Sequence, residues 1–585
     1  MTGFLHKTSF LMELFINGTF ILLYLLKNYK EIPSVWSTRF FQIPILGYID
    51  FFLRGLVWLV PVVIFGVVLS HLIRIKTVEE FVRKYLFSIL ILVPLIITIG
   101  DIEFAFWLSL VHLFSSILVL FDVDSVTASK NKIKRRFTSF ESLKLRPAQT
   151  IILSFAGAII LGTFLLKLPN SAASGTTIDL VDAFFMATSA ICVTGLATLS
   201  LSDNFSLFGQ MVILILMQVG GLGIMTLSTS MTVLLGKSLG MRDRLVIQDL
   251  IEISSMESLM NMVFDIIRYT FLIELWGGIV LTFAFTSEGF EFPKAIYYGF
   301  FHSISAFCNA GLSLFNTSLE SYATNPLIHG TVAILITLGG LGFIVLKEIK
   351  GVIVKNSSFA RISVHSKLVL ITSLTLTVTA ALFIFFGEYL NALEGYNVWQ
   401  KFQISLFQSI TLRTAGFNTI PLSSMHTYTL YLMAMYMFVG ASPGSTGGGI
   451  KTTTFAILIL SIASTLKGKK DVEVFSRKIS SQIVVRTIAL TFISIITTSL
   501  FILILMKLEP EQPFLSIVFE VISAGATVGL SLGGVTPYLS AFGKVAISML
   551  MLIGRTGPLT LVLAIGEKHK TAGKIEYPDS RIMIG

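Results

Sequence analysis

Charged residues are scarce in this sequence. Asp, Glu, Lys and Arg supply 13% of its 585 residues, whereas hydrophobic residues supply 54%. Soluble domains usually carry about twice that share of charge, so the composition excludes an ordinary soluble protein and predicts an integral membrane protein. The formal charge of +10 does not indicate nucleic-acid binding, because no soluble domain remains to carry it. The basic residues cluster in short loops instead, as is typical of the cytoplasmic side of a membrane protein.

Cysteine and histidine are scarce too. The two cysteines, Cys192 and Cys308, could form a disulfide, but the favoured interpretation is that each is a small packing residue. The eight histidines are scattered and form no cluster with acids or a nucleophile. This pattern disfavours a membrane-embedded enzyme, such as a lipid-handling transferase, and predicts neither an enzymatic activity nor a covalent cofactor.

Four glycine-ended segments recur along the chain. They end at Gly195, Gly311, Gly416 and Gly529, at intervals of 116, 105 and 113 residues. Each follows a hydrophobic segment and a short helical run, and each precedes another hydrophobic segment. A unit repeated at this period indicates an internal repeat. Because these segments are too polar to cross lipid alone, they are expected to be buried in protein or to line a watery path.

The predicted fold is an all-α membrane protein. It has four helix–pore-loop–helix repeats in a pseudo-fourfold arrangement, with four additional N-terminal transmembrane helices. Basic residues lie between repeats, which predicts that every pore loop enters from the outer side. The predicted parts are an N-terminal membrane block at 1–122, a basic cytoplasmic linker at 123–147, repeat A at 148–249, repeat B at 250–367, repeat C at 368–483, repeat D at 484–566 and a cytoplasmic tail at 567–585.

Acidic residues lead into the four pore loops and are expected to raise the local cation concentration at the outer mouth. They are Asp179, Asp182, Glu288, Glu291, Glu388, Glu394, Glu509 and Glu511.

The glycine-ended segments have the composition of a cation selectivity filter. The short helix before each would direct its carbonyl end at the pore centre, and glycine permits the backbone angles that turn carbonyl oxygens inward. Close helix packing at the glycines is the simpler alternative. The predicted filter residues, which would bind potassium, are Val193, Thr194, Gly195, Asn309, Ala310, Gly311, Thr414, Ala415, Gly416, Thr527, Val528 and Gly529.

The second span of repeat C, predicted at 427–465, contains a stretch rich in glycine that breaks the helix within the membrane. We interpret residues 440–450 as a gating loop below the filter. Arg555 is expected to bond this loop or its carbonyls, whereas Lys451 could do so or lie in an inner vestibule. Glycine breaks in repeats A and B could be kinks or parts of a gate. The predicted gate residues are Gly440, Ser442, Pro443, Gly444, Gly447, Gly448, Gly449, Lys451 and Arg555.

Four stretches resemble the superfamily of potassium transporters that includes Trk, Ktr and HKT proteins, and the Ktr-type (NtpJ) membrane subunit is the most similar type. The resemblance covers residues 145–585 and not the first four predicted spans. The stretches read Cys192-Val-Thr-Gly-Leu196, Phe307-Cys-Asn-Ala-Gly-Leu312, Arg413-Thr-Ala-Gly-Phe-Asn-Thr419 and Gly440-Ala-Ser-Pro-Gly-Ser-Thr-Gly-Gly-Gly-Ile-Lys451.

The resemblance implies potassium uptake across the cell membrane by a multi-pass homodimer with one pore per subunit. It also implies a cytoplasmic ring of nucleotide-binding regulatory subunits of the RCK type, on which ATP would favour opening and ADP closing. Gly195 favours potassium, because some plant relatives that prefer sodium carry serine there. A sodium-selective or sodium-coupled transporter is the alternative function. Residues 1–122 could instead form a separate sensor or interaction module.

Overall fold

The structure is a computed structural model of the whole chain. The described residues, apart from residue 19, belong to one compact unit that spans 145–233 and 238–585. The predicted N-terminal membrane block, except for that residue, and the predicted C-terminal tail lie outside them. The structure describes residues 147–223, 256–354, 362–469, 471–533 and 535–557, together with residue 19.

Repeat A contains a short helix between two longer ones. Helix α1 (Pro147–Lys167) leads to α2 (Leu180–Ile191), and after the single turn α3 (Leu201–Asn204) the chain enters α4 (Leu207–Leu222). Helix α2 has 12 residues. At a rise of about 1.5 Å per residue it is about 18 Å long, which is too short to cross a bilayer core of about 30 Å. Ser206 caps the start of α4 by accepting a hydrogen bond from a backbone N–H.

Repeat B follows the same order but ends in a bent helix pair. Helices α5 (Met256–Ser287) and α6 (Phe292–Phe307) precede α7 (Pro326–Leu341) and α8 (Phe343–Val354). The last two helices meet at an angle of 106°. Gly342 joins them with a φ of 92°, a left-handed conformation that glycine adopts at little cost. The glycine break that the sequence indicates in repeat B is therefore a sharp bend after Leu341.

Repeat C has the longest break within a helical segment. Helices α9 (Val364–Gly387) and α10 (Val398–Thr411) are followed by α11 (Thr427–Met437) and α12 (Thr452–Leu466). The chain between the last two helices, residues 438–451, is not helical. The break therefore contains the whole of the predicted gating loop.

A short β-hairpin connects repeats C and D, and the all-α prediction did not include it. Strand β1 (Val472–Val474) pairs antiparallel with β2 (Arg477–Ile479). The two residues between them, Phe475 and Ser476, have φ values of 46° and 61°. A two-residue turn with both φ values positive matches the right-handed twist of paired strands, which explains the hairpin despite the absence of glycine.

Repeat D returns to the pattern of repeat A. It comprises α13 (Ser481–Leu508), the short α14 (Phe514–Gly525) and α15 (Ala541–Thr556). Within the described residues, three helices are long and apolar enough to cross a membrane, by length and composition alone: Asp265–Ser287 in α5, all of α9 and all of α13. Counting the bent pair of repeat B as one span would give four.

The helix that follows the glycine-ended segment of each repeat (α4, α7, α11 or α15) packs against the short helix that precedes this segment in the next repeat (α6, α10, α14 or α2). Helix α4 contacts α6, α7 contacts α10, α11 contacts α14, and α15 contacts α2. These contacts form a closed ring in the order A, B, C, D. Three of the buried hydrophobic clusters follow the same contacts, since each contains residues of at least two repeats. The prediction of a mostly helical fold is confirmed.

Candidate functional site

Each of the four short helices ends just before a strained residue. The second residue before each repeat glycine is not glycine, yet its φ lies between 53° and 63°. A left-handed conformation costs such a residue about 1–3 kcal/mol, so it persists only where the surrounding structure requires it. The four residues are Val193, Asn309, Thr414 and Thr527.

Hydrogen bonds hold the backbone N–H groups of these segments against the short helices. Thr194 N donates to Ser189 O at 2.9 Å, and Val528 N donates to Ser523 O at 2.8 Å. The hydroxyl oxygens of the same two serines accept from the N–H groups of Gly195 and Gly529, each at 3.1 Å. Because consecutive N–H groups point back to the helix, the carbonyl groups are left to point the other way.

The four repeat glycines lie in one ring. A Cβ atom on Gly195 would lie 2.5 Å from the Ala310 carbonyl oxygen, and one on Gly311 would lie 2.5 Å from that of Ala415. A Cβ atom on Gly416 would lie 2.6 Å from the Val528 carbonyl oxygen, and Gly529 faces the Thr194 carbonyl in the same way. Real Cβ atoms do not approach oxygen this closely, so a side chain at any of the four positions would collide with the next repeat.

The structure therefore brings all twelve predicted filter residues to one place. The eight that are not glycine are buried. Side chains link neighbouring repeats there, since the amide group of Asn309 lies 3.3 Å from Thr414 Oγ1. Thr194 Oγ1 is different, because it is buried and has no hydrogen-bond partner within the described residues. The assignment of these residues to a selectivity filter remains a prediction.

A cavity of about 500 Å³ lies on one side of the glycine ring. All four glycines line it, together with residues one or two positions after each of them. Glu320 lines it as well and accepts a hydrogen bond from Asn418 Nδ2. Burial raises the pKa of Glu320, an effect that the bond from Asn418 partly offsets. The sequence analysis missed this residue because Glu320 follows its repeat glycine, whereas the acids that it singled out precede theirs.

A polar network joins the segments that follow the repeat glycines of repeats A and B, beside this cavity. The Ser200 and Ser202 hydroxyls donate to Asn316 Oδ1 at 2.6 and 2.7 Å, and Asn316 Nδ2 donates to Asp203 Oδ2 at 2.8 Å. Hydrogen bonds from Ser202 and Asn316 lower the pKa of Asp203.

Several of the predicted outer acids connect two helices of the same repeat. Glu388 accepts a hydrogen bond from His426 N at 3.0 Å, and Glu509 accepts one from Ser540 N at 2.8 Å. Glu288 accepts from Asn325 Nδ2 in the equivalent place. In repeats B, C and D an acid after the first helix thus binds the residue that precedes α7, α11 or α15, the helix that follows the glycine-ended segment. The charge pattern did not predict this role.

The break in repeat C forms a compact loop that pairs with itself and with repeat B. Gly440 N donates to Ile450 O at 2.8 Å, which closes the base of the loop. Ser442 N donates to Gly340 O at 3.0 Å, and Phe343 N donates to Gly444 O at 3.0 Å. These bonds satisfy backbone groups where helix α7 ends at its bend. The break of repeat C and the bend of repeat B therefore stabilise one another.

The tip of this loop lies against the predicted filter, on the side away from the cavity. Gly448 N donates to Thr527 Oγ1 at 3.0 Å, and Thr446 Oγ1 donates to Phe307 O at 3.2 Å. Gly447 packs so closely on Thr414 that a Cβ atom would collide with its hydroxyl. The loop therefore contacts repeats B, C and D directly below the glycine ring.

Two basic side chains bind the loop through carbonyl oxygens. Arg555 donates to the carbonyl oxygens of Thr446 and Gly220, and Lys451 Nζ donates to Gly447 O at 2.7 Å. Carbonyl oxygens of the loop thus receive hydrogen bonds from two basic side chains. The sequence analysis did not single out Thr446, because nothing in its immediate sequence distinguishes it from the other small residues of the loop. The gating role of these residues remains a prediction.

The two cysteines are buried and free, so the disulfide alternative is wrong. Cys308 Sγ lies 3.5 Å from Gln218 Oε1 and 3.9 Å from Glu274 Oε1. The cysteine packs where Gly221 leaves room, since a Cβ atom there would meet its sulfur.

Comparison with known proteins places the chain among cation transporters. The TrkH family model, described as a cation transport protein, matches residues 125–574. The Ktr system potassium uptake protein B of Bacillus subtilis is 36% identical over 468 residues, which are 79% of this chain and 100% of that protein. The potassium/sodium uptake protein NtpJ of Enterococcus hirae is 34% identical over 465 residues, again 79% of this chain and 100% of the relative.

A solved structure has the same fold. The crystal structure of the potassium transporter TrkH from Vibrio parahaemolyticus matches with a TM-score of 0.61 and 19% sequence identity. The match covers 83% of this chain and 96% of that protein. Together with the sequence comparisons, this confirms the resemblance that the glycine-ended motifs indicated.

Proposed function

The chain belongs to the TrkH family of cation transport proteins, and from this we propose that it takes up potassium as the membrane subunit of a Ktr-type system. Family membership makes it an integral membrane transporter and not an enzyme. Two relatives are named for potassium uptake, and one of them for sodium as well.

The ring of four glycines is the observation that carries this proposal. Each glycine faces the carbonyl oxygen that precedes the next glycine, so the ring is lined by backbone oxygen. Oxygen atoms in such a ring can replace the water molecules that a potassium ion loses on entering a pore. The predicted filter residues, from Val193–Gly195 in repeat A to Thr527–Gly529 in repeat D, would bind the ion in this way.

The surrounding helices suit a cation. The short helices α2, α6, α10 and α14 all end at the ring with their carbonyl ends. A helix C-terminus carries a partial negative charge, which favours a cation. The cavity of about 500 Å³ would be the outer vestibule in which the ion arrives.

The loop at 440–450, within the non-helical break at 438–451, would be the gate. It lies against the inner side of the ring and is held there by Arg555 and by the bent end of α7. A polar loop in this position obstructs the path of an ion that has passed the glycines. Uptake therefore requires the loop to move, and deletion of residues 443–449 is expected to raise flux.

The assembly and energetics of the proposed system follow from the family resemblance. The subunit would form a homodimer in the cell membrane, crossing it several times, with a cytoplasmic ring of RCK-type subunits that bind ATP or ADP. The predicted division into an N-terminal block, four repeats and a tail is part of this proposal. The membrane potential would drive uptake, since 100 mV is worth about 2.3 kcal/mol for each charge, or about fiftyfold accumulation.

Potassium uptake by potassium-deficient cells tests the proposal. The full chain would be expressed with and without a co-expressed nucleotide-binding regulatory subunit, and uptake of potassium and of sodium would be measured separately. Potassium uptake that depends on the chain is the expected result. Sodium uptake without potassium uptake would support the alternative of a sodium-selective transporter. No cation uptake with normal amounts in the membrane would refute the proposal.

A further inference from the structure

The chain just beyond the glycine of repeat B is bonded to the short helix of the same repeat. Ser305 Oγ donates to the Leu312 carbonyl oxygen at 2.7 Å, and Ser313 Oγ lies 3.0 Å from Nε2 of His302. Ser305 and His302 belong to α6, whereas Leu312 and Ser313 are the two residues that follow Gly311. The outer end of the predicted filter segment is therefore held at two points of the helix behind it.

The neighbours of His302 and Ser313 fix the direction of the bond between them. His302 Nδ1 lies 2.8 Å from the Tyr298 carbonyl oxygen, which can only accept, so this nitrogen carries a proton. Because His302 is fully buried and a buried charge is costly, the ring is neutral and Nε2 is an acceptor. Ser313 Oγ accepts from Phe315 N at 3.0 Å and donates its own proton to Nε2.

Aromatic rings hold the imidazole of His302 in place. The ring of Phe315 stacks on it with the centroids 4.9 Å apart and an angle of 18° between the planes. The ring of Phe285 lies 5.7 Å away, and that of Phe417, the residue after Gly416 of repeat C, lies 6.4 Å away. The imidazole is thus packed beside the chain that follows two of the four repeat glycines.

The equivalent positions of the other repeats, nine residues before and two residues after the glycine, hold different pairs. They are Met186 and Ala197 in repeat A, Phe407 and Asn418 in repeat C, and Glu520 and Ser531 in repeat D. Ala197 and Phe407 have no polar side-chain atom to form such a bond, and neither carboxyl oxygen of Glu520 has a hydrogen-bond partner within the described residues. In the part of the chain that the structure describes, this bond therefore distinguishes repeat B.

We propose that His302 is a positioning residue for ion selectivity, which acts through Ser313 on the chain around Gly311. The carbonyl oxygen of Ala310, the residue before this glycine, faces Gly195 in the ring. Selectivity depends on where such oxygen atoms are held, and supporting hydrogen bonds keep them in place. Ser313 is half-buried and lines the cavity, so without His302 its hydroxyl can turn to water and the segment loosens. A looser ring adapts more easily to the smaller sodium ion.

The inference rests on the proposed potassium uptake, and substitution tests it. His302→Phe keeps a buried ring, as repeat C has at this position, but removes the acceptor, and Ser313→Ala removes the donor. Each is expected to lower the preference for potassium over sodium in uptake assays by about fivefold, the effect of one net hydrogen bond. The double variant is expected to be no worse than Ser313→Ala alone, because both substitutions remove the same bond.

His329→Phe is the matched control. It makes the same exchange at a second buried histidine, whose Nε2 has no hydrogen-bond partner within the described residues, and it is expected to keep the potassium preference. In His302→Phe the loss should appear as increased sodium uptake, whereas a merely destabilised chain would lose uptake of both ions in proportion.

Three results would overturn the inference: an unchanged preference in His302→Phe at normal membrane amounts, an equal loss in His329→Phe, or a proportional loss of both ions. Absence of potassium uptake by the unmodified chain with its regulatory subunit would instead refute the proposed function, and this inference with it.

Discussion

The guanidinium group of Arg555 donates a hydrogen bond to the backbone carbonyl oxygen of Thr446, a residue 109 positions earlier in the chain. The same group donates to the carbonyl oxygen of Gly220. One side chain of repeat D therefore connects the loop of repeat C to the end of helix α4 in repeat A. Movement of the loop breaks the first bond, and the partly buried guanidinium group then loses part of its stabilisation.

Replacing Arg555 is expected to favour the open loop. A hydrogen bond from a charged group contributes about 1.5–3 kcal/mol, and loss of the lower amount shifts an equilibrium by about tenfold. Arg555→Ala should therefore raise potassium uptake by about tenfold wherever the closed loop limits the rate. Initial uptake into potassium-depleted cells, normalised to the protein in the membrane, measures this. Lys544→Gln is the control, since Lys544 lies on the same helix and pairs with Asp182 instead of the loop. Unchanged uptake in Arg555→Ala would contradict the assigned role.

Adding one methyl group to the loop tests its contact with the filter. A Cβ atom on Gly447 would collide with Thr414 Oγ1, so Gly447→Ala should push the loop away from the ring and raise uptake. The same substitution at Gly330 meets no atom within 4 Å and serves as the control. If uptake by Gly447→Ala equals that of Gly330→Ala, the loop does not rest on the filter in the closed state.

Much of the fold follows from local features of the sequence. Glycine and proline in Gly440–Ile450 break a helix wherever they occur, so the break was predictable to within two residues at its start. The bend at Gly342 was harder to predict. Its φ of 92° depends on hydrogen bonds between the end of α7 and the loop of repeat C. The hairpin turn at Phe475 and Ser476 was not predictable, since neither residue favours a positive φ.

In the candidate site, too, some features follow from the local sequence and others depend on contacts between repeats. The four repeat glycines were predictable from their regular spacing. The structure explains why glycine recurs there, since a side chain at any of the four positions would collide with the next repeat. Glu320 and Thr446 were missed, because each depends on contacts with another repeat that leave no pattern nearby in the sequence.

Substitution at Gly195 tests the filter itself. A serine Cβ atom would lie 2.5 Å from the Ala310 carbonyl oxygen, so the ring must widen or shift to accept it. Gly195→Ser is expected to lower the preference for potassium over sodium by at least about tenfold in flux assays. Gly157→Ala, at a helical position where a Cβ atom meets nothing within 4 Å, should leave it unchanged. An unchanged preference in Gly195→Ser would place the filter elsewhere.

Glu388 is expected to stabilise the fold without affecting selectivity. Its buried carboxylate accepts hydrogen bonds from His426 N at 3.0 Å and from Asn391 Nδ2 at 2.7 Å. Glu388→Ala leaves His426 N without its acceptor, whereas Asn391 Nδ2 keeps its second acceptor, Ser424 O, at 2.8 Å. The substitution should lower the free energy of unfolding by about 1–3 kcal/mol. Thermal unfolding of the detergent-solubilised protein measures the change, with the exposed Glu394→Ala as the control. Equal unfolding temperatures for the two variants would show that the two hydrogen bonds accepted by Glu388 do not stabilise the fold.

Glu320 should make potassium uptake sensitive to external pH. Glu320 lines the cavity that we propose as the outer vestibule, and burial raises the pKa of its carboxyl group, so it loses its charge at a higher pH than an ordinary glutamate. A carboxylate is charged above its pKa, and the charge attracts cations to the vestibule. At limiting external potassium, uptake should therefore fall as the pH falls through this raised pKa. Glu320→Gln should flatten that part of the profile and need about two- to threefold more potassium at neutral pH for half-maximal uptake. Glu394→Gln, an outer acid that does not line the cavity, should keep the original profile, and a Glu320→Gln profile identical to it would refute the assignment.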